Sequence, residues 1–90
     1  MKGRKRILIV DDDERVLFVL RCTLSKLSDE CEIVTASNGH DATMAIDALL
    51  PDLLITDICL PGPDGIQLTR SLRQKRPGAS VIWITCCHEP

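Results

Sequence analysis

Ninety residues with 44% hydrophobic and 27% charged side chains describe one small globular domain and exclude a disordered chain. A formal charge of -2 gives no general attraction to nucleic acid or to an anionic membrane, and no apolar run approaches the roughly 18 residues of a membrane span. Phe18 and Trp83 are the only aromatics, so the core has to be built from Ile, Leu, Val and Ala.

The start of the chain, with Lys2, Arg4, Lys5 and Arg6, reads as a solvated basic tail ahead of a strand. A secretory signal is not expected here: Ile7 to Val10 is stopped at once by Asp11, Asp12, Asp13 and Glu14, where a signal continues apolar for about 7 to 15 residues. The expected location is therefore cytoplasmic. Ile7-Leu8-Ile9-Val10 is a short β-branched run that suits a strand covered on both faces. From about Asp13 to Leu27, Val16, Leu17, Leu20, Leu24 and Leu27 fall on one stripe at helical spacing, with Asp12 or Asp13 placed to cap the helix.

Ser28-Asp29-Glu30 reads as a turn and Ile33 to Ala36 as a second strand. Asn38-Gly39 has the composition of a tight hairpin. The residues after it, Ala42, Ala45, Ile46, Leu49 and Leu50, repeat at helical spacing, so the pair is a strand-to-helix turn, and Pro51 ends the helix. Leu53 to Thr56 forms the third strand and terminates at Asp57. A loop dense in turn formers, Cys59 to Gly65, leads to a helix from about Asp64 to Arg76, with Leu68 and Leu72 inward and Pro77-Gly78 stopping it. Val81 to Thr85 is the fourth strand. The order βαβαβαβ calls for an α/β domain with a parallel sheet and helices on its faces.

The five cysteines, Cys22, Cys31, Cys59, Cys86 and Cys87, are odd in number, scattered and without a CxxC pair. They favour reduced thiols acting as small apolar residues over a disulfide framework or a zinc site.

Ligands of open parallel sheets bind beyond the carboxyl ends of the strands. Here those ends carry Asp11 and Asp12 on strand one, Asp57 on strand three and Thr85 on strand four. Each alone has a plain explanation: helix-dipole matching, a turn residue, a strand residue. Together they bring three carboxylates and a hydroxyl to one edge of the fold. Like charges so placed repel, and a divalent cation relieves the repulsion; Mg²⁺ uses one or two carboxylates plus waters and phosphate oxygens. A carboxylate beside such an ion can attack phosphorus and form an acyl phosphate.

The segments Ile7 to Asp13, Pro51 to Asp57, Leu60 to Gly65 and Val81 to Thr85 closely resemble the receiver domains of two-component response regulators. The resemblance spans about Ile7 to Thr85. It implies a flavodoxin-like, doubly wound sheet in strand order 2-1-3-4, with the fifth strand and last two helices of the family missing. The chain would then be one receiver domain over residues 1–90, incomplete at its C-terminus. It implies Asp57 as phosphoacceptor and Thr85 as the switch hydroxyl. Mg²⁺ would be held by Asp11, Asp12, Asp57 and the backbone carbonyl of Cys59, with Asp12 the closer of the acidic pair. The implied function is phosphorelay signal transduction, the phosphoryl group coming from a sensor histidine kinase or phosphotransfer protein, with no enzyme activity, membrane partner or direct nucleic-acid binding. The family's fifth strand ends in a lysine that pairs with the phosphoryl group, and Pro90 precedes that position.

Two other readings compete. A pseudo-receiver would keep the fold and signal without phosphate. A haloacid-dehalogenase-type phosphatase would use Asp11 as nucleophile and Asp13 as acid/base, but its motif continues with a small residue and threonine where this chain has Glu14-Arg15, and it leaves Asp57 without a role. Finally, strand four contains no charge or proline to blunt it as an edge, so a homodimer through that edge is expected.

Overall fold

The apolar run at Ile7–Val10 forms the centre of the sheet. In the computed structural model, which describes residues 4–27 and 29–84, seven elements alternate along the chain. They are β1 (Lys5–Val10), α1 (Glu14–Leu27), β2 (Cys31–Ala36), α2 (Gly39–Leu49), β3 (Leu53–Asp57), α3 (Gly65–Lys75) and β4 (Ser80–Ile84). The strands make one parallel sheet in the order β2-β1-β3-β4, as the sequence predicts. No helix among the described residues is long and apolar enough to cross a membrane.

The pleat of β1 divides the core in two. Ile7 and Ile9 point to one face, where Leu17, Leu20 and Leu24 of α1 cover them together with Ile55 and Ile84. Leu8 and Val10 point to the other, beneath Ala42 and Ile46 of α2 and Leu68 and Leu72 of α3. All four residues Ile7–Val10 are buried, which is why this strand lacks polar alternation.

The first two strands are longer than their apolar runs. β1 begins at Lys5 and β2 at Cys31 because the backbones pair from Lys5–Cys31 onward; Lys5, Arg6 and Glu32 are exposed there, while Cys31 packs partly against the core. Each helix starts on an acidic or amide cap. Asp13 accepts the Arg15 backbone N–H at 2.9 Å, Asn38 accepts that of Asp41 at 2.8 Å, and Asp64 forms a reciprocal capping box with Gln67. Helix α2 stops one residue before the expected end: Leu50 turns into the left-handed region (φ 49) and donates its N–H to the Ile46 carbonyl ahead of Pro51. At the amino ends of the strands Asp52 ties three elements together. Its carboxylate accepts the Arg6 N–H at 2.8 Å and pairs with Arg76 at 2.7 Å, while its carbonyl accepts the Ser80 N–H at 2.9 Å.

Candidate functional site

The chain leaves β1 toward β2 on one side and returns through α2 to β3 on the other. The crevice between the carboxyl ends of β1 and β3 is therefore the switch point of the sheet. Val10 and Thr56 are register partners, so the next residues, Asp11 and Asp57, come to lie side by side. The backbone N–H of Asp11 still bonds across to the Ala36 carbonyl at 3.2 Å, which extends the ladder into the site. Asp11 and Asp57 are buried, at 5% and 7% exposure, whereas Asp12 is exposed. One carboxylate oxygen from each of the three lies within 4.8 Å of the others.

These groups line a cavity of about 300 Å³ together with Asp13, Val16, Cys59 and Ile84. Burial pushes the Asp11 carboxyl above its ordinary value of 3.8, and the charges of Asp57, Asp12 and Asp13 push it the same way. The Asp13 N–H, donated to Asp11 Oδ1 at 2.8 Å, pulls in the opposite direction and is outweighed. On Asp57, Oδ1 accepts the backbone N–H of Cys59 at 3.1 Å, which orients the carboxylate. The loop carrying Cys59 is anchored at its root: Ile58 donates to the Ile84 carbonyl at 3.2 Å and accepts from the Gly65 N–H at 3.0 Å. A Cβ on Gly65 would sit 2.6 Å from the Asp57 carbonyl oxygen, so only glycine lets α3 start this close to the site.

The donors suit a hard divalent cation. They are all carboxylate oxygens, with no imidazole or thiol among the clustered groups. Separations of up to 4.8 Å suit an ion that takes one or two carboxylates directly and reaches the rest through water.

Of the residues expected at the site, the structure brings Asp11, Asp12 and Asp57 together and places Cys59 on the cavity wall. Thr85 lies outside the described residues, as do Cys86 and Cys87. Asp13, the acid/base of the phosphatase alternative, is engaged elsewhere. It caps α1 and pairs with Arg15 at 3.2 Å, and that hydrogen-bonded partner holds its carboxyl below 3.8, the wrong direction for a general acid. The wall residues Val16 and Ile84 read as core in the sequence, and it is the fold that places them at the site.

Comparison with known proteins points one way. The family described as response regulator receiver domain matches residues 7–90. The alkaline phosphatase synthesis transcriptional regulatory protein PhoP of Bacillus subtilis (strain 168) is 33% identical over 85 residues, covering 94% of this chain and 35% of PhoP. The chain thus spans about a third of that relative's length. The signal receiver domain of the putative response regulator NarL from Mycobacterium tuberculosis superposes with a TM-score of 0.81 at 30% identity, covering 99% of this chain and 72% of that one. The MaeR response regulator bound to beryllium trifluoride gives a TM-score of 0.79 at 32% identity, over 94% of this chain and 70% of that one.

Proposed function

The chain belongs to the response regulator receiver domain family, and we propose that it works as a phosphoacceptor, taking a phosphoryl group onto Asp57 with Mg²⁺ bound beside it. The observation that carries this reading is the clustering of Asp11, Asp12 and Asp57 at the switch point of the sheet, with Asp57 oriented by the Cys59 N–H. Of the three carboxylates, Asp57 alone ends a strand and stands at the root of a loop fixed on both sides. Its free rotation is limited, and a nucleophile held in one orientation needs less ordering to reach an in-line attack on phosphorus.

In this reading Asp11, Asp12, Asp57 and the Cys59 carbonyl hold the cation, and the Thr85 hydroxyl serves as the switch group. The bound ion would supply charge neutralisation for carboxylates that otherwise repel one another and for the incoming phosphate oxygens. The protein's part is to hold the Asp57 oxygen, through the Cys59 N–H, facing a cavity of about 300 Å³, roomy enough for a phosphoryl group and its water. Attack by a carboxylate oxygen on phosphorus forms the Asp57 acyl phosphate and releases the donor's leaving group. The beryllium trifluoride held by MaeR is a tetrahedral mimic of a phosphoryl group, in keeping with such a site.

The donor in this reading is a sensor histidine kinase or phosphotransfer protein, the setting is cytoplasmic, and the domain relays signal without turning over a substrate. Self-association through β4 belongs to the same reading. Among the described residues β4 pairs only with β3, and Ile82 and Trp83 are about half exposed on it. Incubation with acetyl phosphate tests the central step: label should enter the protein only with Mg²⁺ present and not enter Asp57→Asn. A folded chain that takes no label from acetyl phosphate or from a kinase would favour the pseudo-receiver.

A further inference from the structure

We propose that Gly39 is a positioning residue for the phosphoacceptor loop, an inference that rests on the reading of Asp57 given above. The segment between Asp57 and Asp64 contains Pro61 and Pro63, which have no N–H to donate, so at those two positions the backbone can be held only through its carbonyls. The first turn of α2 meets that need. The Gly39 N–H, one of the donors a helix start leaves without an internal partner, donates to the Pro61 carbonyl at 3.3 Å. Asn38 caps the same turn through the Asp41 N–H and holds Gly39 in place.

The fit leaves no room for a side chain. A Cβ on Gly39 would lie 1.8 Å from the Pro63 carbonyl oxygen and 2.7 Å from its carbon, against 3.4 Å where ordinary contact begins. These are backbone atoms, which no side-chain rotation can clear. Any larger residue must push Pro61–Pro63 away from α2. Leu60, the residue before Pro61, is packed against the core formed by α2 and α3, and Cys59 precedes it with the N–H that orients Asp57. Displacement of the loop thus reaches the acceptor carboxylate, six residues before Pro63 and four before Pro61, although Gly39 itself is not among the cavity-lining residues.

The test compares the full chain with Gly39→Ala by amide hydrogen exchange and by Mg²⁺ titration. Cys59 amide exchange should quicken about tenfold in the variant while the Leu8 and Leu54 amides of the sheet stay as slow as before. The Mg²⁺ dissociation constant should rise about tenfold, the size of effect seen when groups that orient metal ligands are disturbed. A folded variant with unchanged Cys59 exchange and unchanged Mg²⁺ affinity overturns the inference. So does one in which every amide quickens together, since that marks a structural role only. If Gly39→Ala does not fold, the unsubstituted chain decides. Mg²⁺ with beryllium trifluoride should slow the Gly39 and Cys59 amides together, and a Gly39 amide that does not respond contradicts the coupling. If the unsubstituted chain binds neither Mg²⁺ nor beryllium trifluoride, the reading of Asp57 fails, while the Cys59 exchange comparison still decides the part played by Gly39.

Discussion

Asp11 and Asp57 follow directly on the register pair Val10–Thr56 of two neighbouring parallel strands, and both carboxylates open into one cavity. Two buried acids in that relation, with Asp12 beside them, are held together by the fold against their own repulsion.

Relieving that repulsion should stabilise the metal-free protein. Asp57→Asn removes one of the charges that raise the Asp11 carboxyl, and the amide can still accept the Cys59 N–H. The expected gain at neutral pH is roughly 1–2 kcal/mol, below the about 4 kcal/mol that two unit charges 4 Å apart carry at an effective dielectric of 20. Because the folded-state pKa of Asp11 lies above its ordinary 3.8, its stabilising share is complete below 3.8 and is lost as pH rises through the raised value. Urea unfolding in chelator should therefore show a smaller loss of stability above pH 4 in Asp57→Asn than in the unsubstituted chain. Equal losses would mean that the two carboxylates do not interact.

Asp52 should show the opposite pH dependence. The Arg6 backbone N–H, its main partner, and the Arg76 guanidinium hold its carboxyl below 3.8. Its contribution is present above 3.8 and disappears as pH falls through the lowered value. Since the Asp52 side chain is 27% exposed and that of Arg76 39%, screening limits the effect. Asp52→Ala should cost about 1 kcal/mol at pH 7 in denaturant unfolding, and the difference should shrink under acid conditions.

Two glycines should respond differently to alanine, Gly62 with a loss of stability and Gly78 without one, although neither has a neighbour within 4 Å of its would-be Cβ. Gly62 sits at φ 76, so Gly62→Ala should destabilise by about 1 kcal/mol through the backbone alone. Gly78 is not at positive φ, and Gly78→Ala should be neutral or stabilise by about 0.4–1 kcal/mol through the unfolded state. Thermal midpoints of the two variants measured side by side decide the point.

Strand β4 should be the self-association surface of the ninety-residue chain. Its sequence Ser-Val-Ile-Trp-Ile carries no charge, whereas the opposite edge, β2, carries Glu32. Sedimentation over a concentration range should reveal a dimer, and Ile82→Lys, at a position 51% exposed, should abolish it without unfolding the chain. A monomer at all concentrations would remove the homodimer from the account.

The element order and the meeting of Asp11, Asp12 and Asp57 at one edge were legible in the sequence because each depends on local pattern, whereas the strand order was legible only through the resemblance to receiver domains. The unbroken apolar runs at Ile7–Val10 and Leu53–Ile55 mark buried parallel strands, and the acids at their far ends must emerge at the carboxyl edge. The helical spacing after Asn38-Gly39 likewise marks a helix start rather than a hairpin, and α2 begins there with Asn38 as its cap. What pattern could not show was contact between segments distant in sequence. The seat of Pro63 on Gly39 and the hub at Asp52 arise from packing between elements, and neither residue's own neighbours announce it. Val16 likewise reads as one more apolar residue on the stripe of α1. Only the fold shows that it lies where the helix leaves the acidic cavity.

The most direct test of the central claim is to locate the phosphoryl group. After incubation with acetyl phosphate and Mg²⁺, the acyl phosphate is trapped by borohydride reduction, and the modified peptide is identified by mass spectrometry. The account predicts modification of Asp57, with Asp11 and Asp12 untouched and no labelling of Asp57→Asn. Modification at Asp11, or a folded, Mg²⁺-binding chain that carries no modified aspartate, would contradict it.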